Sequence, residues 1–562
     1  MAPDVKHQKW WGWGADGVPE FNYANKPAFA PFVKENLGLD LANAPVVGPP
    51  SLDELNVPES RASEDDLAGL RAIVGEENVE LDDEARIVHW AGRSVRDLLR
   101  TRRGDFTRVP DAVVYPGDEE ETRALLAAAS ERNWVVIPFG GGTSISGSLN
   151  APDAEERTVV TVDLGRMNRV LEVDEHSMLA RVQAGILGPD LEDALAARGL
   201  TMGHVPDSFT YSTLGGWVAT RSSGMQSDKY GDIADIVKGL RLARPGGVVA
   251  LRDLPSTSTG PSVREMIIGS EGRLGIVTEV TIQVHPLPEH RDVIAYMFPT
   301  WDKALLCMHA VARSEAHPTF TRISDAAETS FSLSTQKAPT TTLKKASAFG
   351  QEKLWDFLRL RGWNTDQMCL SYVCYEGSAK HNAREKKIVK DLVAKHGGIV
   401  LGGSPGALYD QKKFDTPYLR DFLLDRRTIG DVSETAAPWS KLAAVHRRVR
   451  EAAGRAFDQI GRQGFIMCHM SHSYHAGACL YFTFAFVLGE DADDLAQYDA
   501  VKSAIQQCFI DCGATLSHHH GVGTEHKPWM AQDLSEPGVD LMAGLFHAAD
   551  PGANLNPGKV ID

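Results

Sequence analysis

The stretch VVIPFGGGTSISG, residues 135–147, decides how the rest of the chain is read. A β-branched run, Val135 to Ile137, reaches Pro138 and then breaks into Gly140, Gly141 and Gly142, with Thr143 and Ser144 behind them. Glycines without side chains let backbone N–H groups approach an anion closely, and the two hydroxyls add donors. A tight β-turn would use the same residues. The literal G-x-G-x-x-G at Gly12, Gly14 and Gly17 follows no strand and opens no helix, so it is not read as a dinucleotide fingerprint.

Two further segments favour the anion reading. VPDSFTYSTLGGWVATRSSGMQSDKYG (205–231) crowds glycines and small hydroxyl residues, and GSEGRLGIVTEV (269–280) puts Gly272 and Gly275 before a strong strand. Three such loops within 140 residues point to one long phosphate-bearing ligand threaded through a single domain. Around them DAVVYP, RTVVTVDLG, LARVQAG and LGIVTEVTIQVHPLP read as strands, and DEEETRALLAAASERN and GPDLEDALAARG as helices. The class is α+β. Residues 1–105 form a helical N-terminal region, 106–290 the ligand-binding domain, 291–510 an α+β cap domain and 511–562 a C-terminal segment that completes the ligand site. Residues 333–350 have little periodicity and read as a long loop.

The chain has 562 residues, which at about 150 per domain predicts roughly three to four domains. Apolar residues make up 43% and charged residues 24%, ordinary values for a globular protein. A net charge of −17 argues against nucleic acid as a partner, since a phosphate backbone would be repelled. The densest basic stretch, KLAAVHRRVR, reads as a solvated helix face. No run approaches the ~20 apolar residues of a membrane span. Seven cysteines without a C-x-x-C pair suit reduced thiols in a cytoplasmic protein.

SHHHGVG (517–523) sets His518, His519 and His520 before a Gly-x-Gly turn. Histidine titrates near ~6.5, so these side chains suit proton transfer or an anion clamp; a surface run is the plain alternative. A metal site needs three or four ligands. His469, His472 and His475 in HMSHSYH could be partners, but a period-two strand entering a glycine turn scatters their rings, so no metal is assigned. Tyr481 in CLYFTF is either a core tyrosine with its hydroxyl at the rim or a proton-transfer group. Arg420 in YLRDF is either an ion pair with Asp421 or a two-pronged grip on a carboxylate.

As a set, the glycine-rich segments resemble the flavin-binding domain of the vanillyl-alcohol-oxidase family: P-x-G-G-G-T-S, D-S-x-x-x-S-T-x-G-G, T-R-x-S-G and G-S-E-G-x-L-G-I-V-T stand here in that family's order, and LNPGK (555–559) resembles its C-terminal flavin contact. The resemblance implies a two-part FAD-binding fold and FAD held noncovalently. The implied contacts are Pro138, Phe139, Gly140, Gly141, Gly142, Thr143 and Ser144; Asp207, Ser208, Phe209, Thr210, Tyr211, Ser212 and Thr213; Thr220, Arg221, Ser222 and Ser223; and Glu271, Gly272, Arg273, Leu274, Gly275, Ile276 and Val277.

Within that family HHHGVG stands where the 2-hydroxyacid dehydrogenases resemble G-E-H-G-I-G. With KWWGWG (9–14), PYLRDFLLD (417–425), SETAAPWSKL (433–442) and SYHAGACLYFTFAF (473–486), it resembles the alkyldihydroxyacetonephosphate synthase branch. This implies an FAD-dependent transferase of ether-lipid synthesis. It exchanges the acyl chain of acyl-dihydroxyacetone phosphate for a fatty alcohol through a flavin N5 adduct, without net redox. Tyr481, His518, His519 and His520 take the catalytic roles and Arg420 binds substrate. An FAD-dependent D-2-hydroxyacid dehydrogenase is the alternative. Lipid substrates imply transient membrane-surface contact, for which KLWDFLRLRGW (353–363) is one candidate. A homodimer is compatible with the family, and the branch's peroxisomal targeting sequence is not seen.

Overall fold

The computed structural model describes residues 8–18, 21–338, 353, 355–412, 416–490 and 493–562. Residues 339–350 of the expected long loop, and Leu354, lie outside them. The chain divides into two compact units: Met1–Val18, Pro49–Leu287 and Leu516–Asp562 form the first, and Pro19–Gly48 and Pro288–Thr515 the second.

The first unit carries β1 (Val79–Glu80), β2 (Ala112–Val114), β3 (Val135–Phe139), β4 (Val159–Asp163), β5 (Val170–Asp174), β6 (Leu179–Gln183), β7 (Leu200–Thr201), β8 (Val237–Arg244), β9 (Gly247–Ala250), β10 (Ile276–Gln283) and β11 (His285–Pro286). One sheet runs β1-β2-β4-β3, with β2, β4 and β3 parallel. These three strands read as near-continuous apolar runs because parallel strands are covered on both faces, and β2 and β4 are buried throughout. The second sheet, β5-β6-β10-β8-β9, is antiparallel. Helix Glu119–Arg132 joins β2 to β3. Asp118 caps its start, three glutamates fill its first turn and Asn133 ends it at φ 57°. The tail returns alongside β3: Val136 N donates to Asn554 O (2.7 Å) and Asn556 N to Val136 O (2.9 Å).

The second unit is built on one antiparallel sheet of β12 (His290–Phe298), β13 (Phe320–Ser324), β14 (Cys369–Gly377), β15 (Ile399–Gly402), β16 (Thr428–Pro438), β17 (Gly464–Ser473) and β18 (Gly477–Val487), in the order β15-β12-β14-β13-β17-β18-β16. After the buried residues 477–480, β18 alternates with period two: Phe482, Phe484 and Phe486 are fully buried, whereas Tyr481, Thr483 and Ala485 are half-buried. The phenylalanine face packs under helices Trp439–Gln459 and Asp494–Asp511, where Phe457 meets Phe486 at 6.0 Å and Phe509 meets Phe482 at 5.8 Å.

Residues 1–105 do not form one region. Helix Phe29–Leu37 buries Phe29, Val33 and Leu37 against Phe422 and Leu423 of the second unit, while Trp10 packs with Trp90 and Phe106 in the first. Two separate aromatic anchors divide the segment between two cores. Among the described residues no helix is long and apolar enough to cross a membrane.

Candidate active site

The loop after β3 is held from behind. A Cβ on Gly141 would lie 1.6 Å from the Tyr211 carbonyl oxygen, one on Gly140 2.3 Å from Thr213 Oγ1, and one on Gly272 2.8 Å from Pro138. The glycines therefore let loop meet loop; open approach to an anion is only part of their purpose. In front, six successive backbone N–H groups, Gly140 to Ile145, donate to no other described residue. Half-buried donors without protein acceptors are costly, and a run of them forms a nest for an anion.

Most side chains of the expected cofactor loops serve the loops themselves. Thr213 Oγ1 accepts from Gly216 N at 3.2 Å, capping helix Leu214–Thr220. Ser212 Oγ accepts from Trp217 Nε1 at 2.7 Å, and Arg221 pairs with Glu265 at 2.8 Å. Arg273 donates to the carbonyls of Lys559 and Ile561. Tyr211 meets Trp13 edge-on at 5.7 Å and accepts from Ala15 N at 3.2 Å. The GWGADG hairpin is thus a brace on Tyr211. What these residues leave available to a ligand is mainly backbone.

The histidine turn joins this assembly. Glu271, expected as a cofactor contact, directs its carboxylate at the turn: it accepts from Val522 N (2.6 Å), Gly523 N (2.9 Å) and Ser148 Oγ (2.9 Å). Burial raises its carboxyl above the usual carboxylate range against the pull of those donors. Gly521 and Gly523, at φ 82° and 54°, allow the reversal. His518 and His519 meet Nδ1 to Nδ1 at 2.9 Å, and His519 lies 4.4 Å from His520, ring to ring. One nitrogen of that contact donates and the other accepts. Lys559 of the tail is buried, which pulls its amine down to about 8 despite the charge of Glu271.

In the second unit, Tyr481 pairs across the sheet with His469 on β17 and Glu434 on β16. The rings of Tyr481 and His469 stack at 4.7 Å. His469 Nδ1 lies 3.0 Å from Glu328 Oε2, and Arg322 donates to Glu328 Oε1 at 2.6 Å. Burial pushes the Glu328 carboxyl up, but the charges of His469 and Arg322 outweigh it and hold the group down at about 2. Arg420 stands on helix Thr416–Leu424, whose Phe422 and Leu423 anchor it to the core. Its Nε is 3.8 Å from Asp421 Oδ1, too long for a hydrogen bond. Of the other histidines considered as metal partners, His472 is the bulged residue of β17, at φ 48°.

Residues 110–251 match the family described as "FAD binding domain", and residues 287–560 "FAD linked oxidases, C-terminal domain". The alkyldihydroxyacetonephosphate synthase of Dictyostelium discoideum is 35% identical over 98% of this chain and 93% of its own. That of Trypanosoma brucei brucei is 36% identical over 92% of this chain and 81% of its own. The chain belongs to the alkyldihydroxyacetonephosphate synthase family. A solved structure of an alkyldihydroxyacetonephosphate synthase superposes with a TM-score of 0.85 at 32% identity, covering 99% of this chain and 98% of the other.

The protein is therefore an FAD-dependent enzyme with the vanillyl-alcohol-oxidase-type fold of this family. The first unit fits the cofactor, because its row of undirected N–H groups suits a pyrophosphate. Sequence reasoning missed Arg322, Glu328, His89 and Asp163. His89 Nε2 lies 2.9 Å from Asp163 Oδ2, and the imidazole packs on Phe139 at 4.4 Å. It also missed His204, whose burial lowers it to about 4 and whose Nε2 lies 2.9 Å from Ser222 Oγ. No local motif marks these groups: His89 and Asp163 lie 74 residues apart, His204 and Ser222 18, and Glu328 and His469 141.

Proposed function

We propose that this enzyme makes ether lipids. It exchanges the acyl chain of an acyl-dihydroxyacetone phosphate for a long-chain alcohol, releasing a fatty acid and alkyl-dihydroxyacetone phosphate without net redox. The observation that carries this is the likeness to alkyldihydroxyacetonephosphate synthases along nearly the whole chain. The N–H groups of residues 140–145 would hold FAD noncovalently, and the flavin would supply chemistry that lets a carboxylate leave and an alcohol enter without net redox. Arg420 grips the departing carboxylate with its two-donor fork. Tyr481, stacked on His469, gives or takes a proton; a phenol of pKa ~10 needs nearby cations for this, and Arg322 with His469 provides them. The histidine turn moves the proton at the reacting carbon and holds the phosphate.

Incubation with palmitoyl-dihydroxyacetone phosphate and hexadecanol should yield hexadecyl-dihydroxyacetone phosphate and palmitate in equal amounts. D-lactate or glycolate should leave the flavin spectrum oxidised under anaerobic conditions. Bleaching by a 2-hydroxy acid without acyl exchange would replace this reading with the dehydrogenase one.

Arg420→Lys should lower turnover roughly tenfold or more with flavin content unchanged. Lysine keeps the charge but loses one arm of the fork, a charge-assisted bond worth ~1.5–3 kcal/mol. Normal turnover in this variant would show that charge alone suffices at that position.

A lipid substrate also requires transient contact with a membrane surface. In helical residues 355–360, Leu358 is buried, but Phe357 and Leu360 are 52% and 87% exposed, beside Arg359. These suit such contact.

A further inference from the structure

The loop bearing the six undirected N–H groups runs without interruption into Ser146, Gly147 and Ser148, and those residues hold the histidine turn. Ser146 Oγ donates to His520 O at 3.2 Å, and its carbonyl accepts from Thr524 N and Glu525 N at 3.0 and 3.1 Å. Gly523 lies so close that a Cβ there would fall 1.9 Å from the Ser146 carbonyl oxygen. Ser148 Oγ donates to Glu271, whose two oxygens take the N–H groups of Val522 and Gly523. Asn556 of the tail donates to the carbonyls of both Glu271 and Ser148, at 2.7 and 3.0 Å.

We propose that Ser146, Ser148 and Glu271 form a latch that couples the geometry of the His518–His520 turn to occupancy of the 140–145 nest. An anion in the nest engages the N–H groups of residues 140–145, whose backbone is otherwise tied by Arg93 N donating to Ser144 O (2.6 Å) and by close packing on Tyr211. One peptide further on, the chain is bonded to the turn at its carbonyl and its hydroxyl, so a shift in one displaces the other. Coupling of this kind is reciprocal: the nest that orders the turn holds its anion more tightly when the turn is latched. Glu271 is then a positioning residue, acting through the backbone it holds. The inference rests on the assignment of the turn as catalytic, but the coupling itself does not depend on which substrate is used.

The test uses flavin-loaded wild type, Glu271→Ala, Glu271→Gln and Ser146→Ala, without substrate. The readouts are amide hydrogen exchange over 518–526 and the rate of flavin release on dilution, followed by fluorescence. In Glu271→Ala, exchange over 518–526 should rise and flavin release should quicken at least fivefold, the lower end of ordinary coupling of about 5–150-fold. Ser146→Ala should move both readouts the same way by a smaller factor. Glu271→Gln should stay near wild type, because its amide oxygen still accepts from Val522 and Gly523 while its NH2 can donate to Ser148. If exchange rises in either alanine variant and flavin release does not change, the two elements are uncoupled and the latch is wrong. If Glu271→Ala alone quickens release while Ser146→Ala loosens the turn without effect, Glu271 acts on the flavin directly, which also overturns the proposal. Should Glu271→Ala fail to fold, Ser146→Ala decides alone. A failure of alkyl exchange would leave these readouts untouched.

Discussion

Gly141→Ala should purify without flavin. A single methyl at this position would sit 1.6 Å from the Tyr211 carbonyl oxygen, well inside van der Waals contact. The loop cannot yield backward, because Tyr211 is itself braced by Trp13 and Ala15 and the following residues cap helix Leu214–Thr220. It must move forward, into the space the six N–H groups face, and the nest is lost. The larger Gly141→Val should behave no differently, since the first carbon already decides the outcome. Acid precipitation of wild type should release all its FAD into the supernatant, as noncovalent binding requires, and the same assay on Gly141→Ala should find under a tenth as much. Retention of wild-type flavin content would mean that Tyr211 and its braces can move aside, and that the close packing seen here is not what shapes the loop.

His519→Ala should cut turnover by on the order of 10²-fold or more in metal-free buffer, the scale of a lost acid–base group, with flavin retained. His519 is the central member of the three: it meets His518 through Nδ1 and lies against His520. Its removal therefore frees both neighbours, and the loss should exceed that of His518→Ala. Imidazole N–H groups donate to a phosphate dianion, so the defect should be larger with the phosphorylated substrate than with a dephosphorylated analogue. Prolonged EDTA treatment should leave wild type active. Loss of activity on chelation, restored by zinc or manganese, would make these histidines metal ligands.

Much of the architecture was readable along the chain. The runs at 112–114, 135–139 and 159–163 announced strands because buried parallel strands are nearly all apolar, 276–283 through its β-branched residues, and ACLYFTFAFVLG through its short apolar run. The helix from Glu119 to Arg132 carried its own cap, acidic first turn and stop. The glycine-rich loops announced an anion site, although their glycines serve equally to let the loops pack on one another. Less legible was the split of residues 1–105 between two cores, because an aromatic anchor such as Phe29 or Trp10 does not encode which distant surface it will meet.

Local sequence determined where the backbone must turn, which strands are covered and that an extended anion is bound, because these depend on periodicity and on residues without side chains. Only the tertiary structure decided what the polar side chains do. Glu271 stands in a cofactor motif yet holds a turn 250 residues away, and Arg322, Glu328 and His469 form one charged group from two strands and a helix. A carboxylate's partner is set by whichever donors the fold brings within about 3 Å of its oxygens. That proximity is a property of packing, not of spacing along the chain.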